Sequence, residues 1–268
     1  MSGSILAETL AELRVLHGAA LERLRVEDAV VGVHFSAVKL SDGSGGMAGT
    51  PRCDAGPPPR DVRKPPPGAL KGARVLSILE PWPEDPCLRS FAVAALSALS
   101  APFLNARRYR LVYDMDALEL AGIKPGMAVT LVGAFHSYID RLRSVEGLRL
   151  KVLELRESAL REGDLPFYVP AGRAREVVPV SDALLITGQT LVNGTLDGLL
   201  GLARPDAAVV LVGPSGSILP EALFRRNVRV AGGCALTDCD AALKLLLQGA
   251  SARHLYGACA RKINLSPL

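Results

Sequence analysis

A two-part α/β protein is predicted: a smaller α+β domain over residues 1–120, then a doubly wound parallel-sheet domain over 121–268. Three observations carry this. Beyond Ile123-Lys124-Pro125-Gly126, short apolar runs alternate with helical segments, the pattern of βαβ units with helices on both faces of one sheet. Before that point a helix is followed by a β-branched run and a glycine-rich turn, without such alternation. The length of 268 residues is enough for two modest cores.

The elements follow in order. Residues 4–25 form an amphipathic helix, because Ile5, Leu6, Leu10, Leu13, Leu16, Leu21 and Leu24 recur on one face. AVVGVHFSAVKL (29–40) is strand-like, and Ser41 to Gly46 turns it into Met47-Ala48-Gly49-Thr50 as a hairpin. Residues 57–67 (PPPRDVRKPPP) hold six prolines, which remove donors and fix φ, so this stretch is a stiff surface connector or a docking motif for a prolyl-peptide partner. Helices are expected at 69–79 and 86–101. In the second half, strands at 127–135, 148–155, 183–187, 207–213 and 228–233 alternate with helices at 137–145, 191–203, 219–226 and 238–248. Right-handed crossovers then give a doubly wound domain.

Composition excludes several classes. There are 31 basic and 27 acidic residues, a net +4, with basic residues only in pairs such as Arg107-Arg108 and aromatics at 4%, so nucleic-acid binding is not expected. The most apolar run, Phe91 to Ala106, is short, carries Ser, Pro and Asn, and reads as a core helix rather than a membrane span. Five scattered cysteines (Cys53, Cys87, Cys234, Cys239, Cys259) argue for reduced thiols in a cytoplasmic protein. A homodimer is the base-rate expectation.

Candidate site residues collect where strands end, since open parallel sheets bind ligands at their carboxyl edge. ALLIT runs into Thr187-Gly188-Gln189-Thr190 and then Asn193-Gly194-Thr195, a turn crowded with amides and hydroxyls. Gly213-Pro214-Ser215 follows the next strand and offers an anion cradle or simply a tight turn. The first parallel strand ends at Gly133 without the second and third glycines of a dinucleotide fingerprint, which argues against close pyrophosphate approach. Glu154 ends the second strand, where an acidic residue would hold a ribose hydroxyl, and could equally be an ordinary strand-end carboxylate. His136, just before a helix at the mouth of the sheet, is placed for acid–base or ligand duty, or for capping. Cys234 and Cys239, with Asp238 and Asp240, suggest a soft-metal site that His136 could complete; the competing reading has Asp238 starting the last helix and the thiols packing inside. Glu80 is a weaker candidate for a carboxylate facing the cleft.

ITGQTLVNGTLDGLL, VVLVGPSGSILPEALF and VRVAGGCALTD resemble the family described as putative heavy-metal chelation proteins, and VVGVHFSAVKLSDGSGGMAGT resembles the small domain that precedes it. The resemblance spans most of residues 29–265. It implies an enolase N-terminal-like domain, a Rossmann-like domain and a cleft between them. It also implies that Gly133, the loop residues Thr187, Gly188, Thr190, Asn193, Gly194 and Thr195, and Gly213, Pro214 and Ser215 bind the ligand. One departure is Ser97, where the family's helix carries an asparagine. The functional expectation is a metal, metal complex or small anionic ligand bound between the domains, with a transition metal as the implied cofactor. The alternative is a transferase or lyase of small-molecule metabolism using His136 or Glu154. The chemistry of the motif favours organic ligands or oxyanions over bare soft cations, because its donors are neutral hydroxyls and amides.

Overall fold

The computed structural model describes residues 3–51, 68–83 and 85–268. The proline-rich 57–67 segment and Cys53 lie outside the described residues.

The chain opens with a helix at Ile5–His17, capped by the Ser4 hydroxyl on the Ala7 amide, and tightens into a 3-10 turn at Gly18–Arg23. Its continuous amphipathic stretch thus bends at Gly18, whose φ of 54° ends the first helix. Three strands follow as an antiparallel meander: β1 (Val26–Val31), β2 (Phe35–Leu40) and β3 (Gly45–Gly49). The expected strand over 29–40 is therefore two strands. Its chain reverses at Gly32-Val33-His34, where the Gly32 amide donates to the Phe35 carbonyl, so His34 is a turn residue. The helix expected at 69–79 shrinks to Leu76–Leu79.

The helix Pro86–Ser100 is the central beam. Asp85 caps it by accepting the Leu88 amide at 3.0 Å, and proline fits its first turn. Every residue from Ser90 to Ser100 is buried. With the 3-10 turn that follows it, the stretch Pro86–Phe103 is by length and apolarity able to cross a membrane, but it is mostly buried as a core element here, with β2 and β3 packed on the helix. The approach of β3 is very close. A Cβ on Gly46 would stand 2.3 Å from both the Ala94 carbonyl oxygen and the Ala98 nitrogen, and one on Gly45 would meet the Cys239 sulfur at 1.7 Å. Gly45 and Gly46 are thus close-packing strand residues, not turn residues. Ser97, in the asparagine position, sits at this same contact, with its Cβ 2.7 Å from the Gly46 Cβ position.

The large sheet has eight strands. β4 (Arg110–Tyr113) and β11 (Ala260–Ser266) form an antiparallel edge with β10 (Val228–Leu236). The remainder is parallel: β5 (Ala128–Val132), β6 (Arg149–Glu154), β7 (Tyr168–Pro170), β8 (Ala183–Thr187) and β9 (Ala208–Val212). Strand β4 falls within the first 120 residues yet pairs with β11, so the chain enters the large sheet earlier than the composition shift suggests. Across the parallel part the order is β10-β9-β8-β5-β6-β7. The chain starts in the middle at β5, runs outward through β6 and β7, then returns to the other side of β5 for β8. Strands β8 and β9 are almost wholly buried and read as continuous apolar runs, as expected for strands covered on both faces.

The first apolar core joins both halves of the chain. Leu13, Leu40, Leu96 and Leu99 pack in one cluster with Leu184, Ile186 and Leu211. The opposite face of the large sheet is covered by Tyr138, Ile139 and Leu142 of the helix His136–Leu142. The last long helix, Cys239–Leu247, packs on β1 and β2, placing C-terminal residues Leu243 and Leu246 beside Ala37 and Met47.

Candidate functional site

Strand order reverses between β5 and β8, and connections leaving a sheet in opposite directions at such a point open a crevice at the carboxyl ends. A cavity of about 1130 Å³ lies there. The end of β5 supplies Val132, Gly133, Ala134 and Phe135; the end of β6 supplies Glu154, Leu155 and Arg156. The β8 loop supplies Thr187, Gln189, Thr190, Asn193, Gly194 and Thr195, and the helix Leu196–Leu202 adds Gly198, Leu199 and Leu202. Thr50 and Pro51, just past β3, and Pro86 of the central helix close it from the N-terminal side.

Each polar group in this cavity has a definable state. Gly133 turns the chain at φ 103°, and its Cβ position is 3.1 Å from the Thr187 methyl, so the two loops touch. The Glu154 carboxylate accepts three amides: Ala134 at 3.0 Å on Oε2, and Leu155 at 2.7 Å and Arg156 at 3.2 Å on Oε1. A carboxylate has about four lone-pair sites, so one on Oε2 is left for a ligand. The Thr190 hydroxyl donates to the Thr187 carbonyl at 2.6 Å, and the Thr195 hydroxyl donates to Asn193 Oδ1 at 2.7 Å. Asn193 Oδ1 also accepts the Thr195 amide, while Gly194 takes φ 76°. The motif's hydroxyls therefore shape the turn, and the Asn193 Nδ2 donor and the Gln189 carboxamide have no hydrogen bond among the described residues. Gln189 crosses toward Gly49, where a Cβ would lie 2.1 Å from its Oε1.

The second loop has a different task. Gly213, Pro214 and Ser215 do not line the cavity. Ser215 is buried and its hydroxyl accepts the Gly49 amide at 2.9 Å, tying β3 to the large sheet. Gly49 in turn accepts the Ser90 hydroxyl at 3.0 Å. This loop holds the cavity wall rather than forming it.

His136 also lies off the cavity wall. Its Nδ1 is 3.3 Å from Asp164 Oδ2, and Asp164 is held well below the usual carboxylate range, first by the Arg161 guanidinium that donates to it at 2.7 Å and then by His136. Glu80 pairs with Arg14 on the surface and is absent from the lining.

The cysteines do not converge on a metal. Cys234 is buried in β10 with its sulfur 3.9 Å from Met47 Sδ, and burial pushes its thiol up to about 12. Burial likewise raises Cys239 to about 11. Asp238 caps the helix Cys239–Leu247 by accepting the Ala241 amide. His136 follows β5, three strand spacings or about 14 Å from β10. Among the described residues no three His, Cys, Asp or Glu side chains are grouped to hold a metal ion. Thiols that burial keeps protonated do not fit a bare soft cation.

Several lining residues carry no sequence signal of their own. Leu155 is 68% exposed although large and apolar, and Arg175, on the short helix Ala174–Val177, joins Arg156 in giving the cavity a basic rim. Arg89 stands beside it, its terminal nitrogen 3.6 Å from the Gly194 Cβ position. Only Gln189, inside the motif turn, was within reach of pattern reading.

Comparison with known proteins gives a consistent result. Two family models, both described as putative heavy-metal chelation, match residues 14–100 and 116–265. An uncharacterised protein of Methanocaldococcus jannaschii is 30% identical over 178 residues, 66% of this chain and 65% of that protein, so the match spans just under two thirds of the relative. A crystal structure of unknown function from Pyrococcus horikoshii, of the family matching 116–265, aligns with TM-score 0.78 at 20% identity, covering 98% of this chain and 100% of the other. A second, from Desulfitobacterium hafniense, aligns with TM-score 0.72 at 20% identity over 96% and 99% of the two chains. At these identities the structures share the fold.

Proposed function

The chain belongs to the putative heavy-metal chelation family, and from that premise we propose that it binds a small organic ligand, anionic or hydroxylated, in the cleft at the β5/β8 reversal. A metal would enter this site already chelated. One observation carries the reading: a cavity of about 1130 Å³, walled by aliphatic side chains and offering a few fixed polar groups, opens where the strand order turns. Aliphatic walls and neutral donors solvate an organic body; they do not replace the hydration of a bare cation.

The finer fold assignments belong to the same proposal. The parallel order, which numbers 3-2-1-4-5-6 from β7 to β10, supports a Rossmann-like reading. The β1-β2-β3 meander followed by helices supports an enolase N-terminal-like reading of the first unit. The transferase or lyase alternative draws less support, because His136 stands off the cavity and three amides already engage Glu154.

The test is native mass spectrometry with elemental analysis on protein purified without chelators, beside Gly198→Leu. A Cβ at Gly198 meets nothing within 4 Å, so leucine fills the cavity without disturbing its helix. The expected result is an organic adduct on the native protein that is missing from Gly198→Leu at unchanged melting temperature. An adduct surviving the substitution, or stoichiometric metal without an organic component, refutes the proposal.

A further inference from the structure

Resting on that reading of the cleft, we propose that the ligand is a nucleoside with an anionic 5′ substituent: the ribose on Glu154, the base against Leu155, and the anionic end at Arg89 and Asn193. Three features of the cavity wall, and one guanidinium that stands beside it, meet in this assignment.

Glu154 ends the strand beside β5, and its carboxylate is locked by the Ala134, Leu155 and Arg156 amides. A carboxylate so fixed has one open acceptor site and no freedom to rotate, which suits a ribose hydroxyl better than a metal ion. The next residue, Leu155, presents 68% of its surface to solvent from the cavity wall, with Ala171 and Ala174 also lining it. A bare aliphatic face next to a hydroxyl acceptor is where the flat face of a base would be covered.

Two strand spacings away, about 10 Å, lies the turn after β8. Here Asn193 Nδ2 has no acceptor among the described residues, and the Arg89 guanidinium stands beside Gly194. Arg89 Nε donates to the Pro83 carbonyl at 2.9 Å, which orients the side chain, and no acidic residue among the described residues pairs with it. A half-buried, oriented guanidinium with no carboxylate partner among the described residues calls for an anion. The N-terminal half of the chain thereby supplies the charge that closes the site.

The same geometry disfavours a dinucleotide. Beyond Gly133 the turn carries Ala134 and Phe135, and Phe135 lines the cavity stacked on Tyr138 at 5.4 Å, where a pyrophosphate would need bare backbone.

The probes are adenosine, adenosine 5′-monophosphate (AMP), S-adenosylhomocysteine and NAD, titrated calorimetrically into the full chain and into Arg89→Gln. The two anionic adenosine derivatives distinguish a phosphate from an amino-acid carboxylate as the charged end. The expectation is that at least one binds about tenfold or more tightly than adenosine, as a charge-assisted contact allows. Arg89→Gln should erase most of that advantage while changing adenosine affinity little, and NAD should bind no more tightly than AMP. Equal affinities for all four ligands, or an equal loss for adenosine and its derivatives in Arg89→Gln, overturns the assignment. So does absence of binding by every nucleoside. In that last case an organic adduct displaced by Gly198→Leu would leave the cleft-binding function standing and remove only the ligand class.

Discussion

Substituting Gly46 by alanine tests how the two halves of the chain are held together. The added methyl carbon would lie 2.3 Å from the Ala94 oxygen and the Ala98 nitrogen and 2.7 Å from Ser97 Cβ. The two nearest are backbone atoms of the buried helix Pro86–Ser100, so no flexible side chain can move aside. Strand and helix must separate by about an ångström, which breaks packing along both. Overpacking in a well-filled core costs about 1–3 kcal/mol, and a clash against helix backbone belongs at the top of that range. At roughly 2–4 °C per kcal/mol for a chain of this size, the melting temperature should fall by about 6–12 °C. The matched control is Gly201→Ala in the helix Leu196–Leu202, where the new methyl meets nothing within 4 Å and should stabilise by up to about 1 kcal/mol. Differential scanning calorimetry of the two variants reads both effects. A melting point for Gly46→Ala within about 1 °C of the unsubstituted protein would refute the close-approach argument. Because β3 leads directly into Thr50 and Pro51 of the cavity wall, the same variant should also weaken ligand binding.

Two further outcomes follow from named contacts. Ser215→Ala removes the acceptor for the buried Gly49 amide and should cost about 1–3 kcal/mol in urea unfolding; a loss below about 0.5 kcal/mol would show that β3 is held by other means. Glu8 is lowered to about 2 by its hydrogen bonds to Arg226 and then Arg225. Its folded value lies below the unfolded one of about 4.3, so its stabilisation is present above that pH and disappears as pH falls toward 2. The gap in stability between the unsubstituted protein and Glu8→Gln should therefore be constant near neutrality and close in acid; a gap that persists at the acid end would contradict the ion-pair origin.

Much of the sheet was legible locally. ALLIT occupies 183–187 as read, and β5, β6, β9 and β10 appear where apolar runs predicted them; β8 and β9 are buried on both faces, which leaves little choice of residue, while β6 alternates exposed Arg149 and Lys151 with buried Leu150 and Val152. Edge strands leave that choice open. Arg110–Tyr113 at the edge, and Ala260–Ser266 between it and β10, mix charged and apolar residues and carry no run; they become strands only through the pairing of β11 with β10 and of β4 with β11. The helix expected over 191–203 divides at Asn193 and Gly194, where side-chain and backbone bonds within the turn outweigh helical periodicity.

The sequence by itself determined the α/β class, the polar turn after β8 as a cavity wall, and Glu154 as the end of a strand beside it. These are properties of short windows: apolar runs, glycine at a turn, a carboxylate following a strand. Only the tertiary structure decided which loops meet. It turned Gly213-Pro214-Ser215 inward to grip Gly49, set His136 against Asp164 off the cavity, and packed Cys234 into the core against Met47. It also brought Arg89 to Gly194 across 105 residues of chain, counted from position 89 to position 194. The physical reason is that a side chain's use depends on the field and the partners around it, and here those partners come from strands and helices distant in sequence, joined through one shared apolar core.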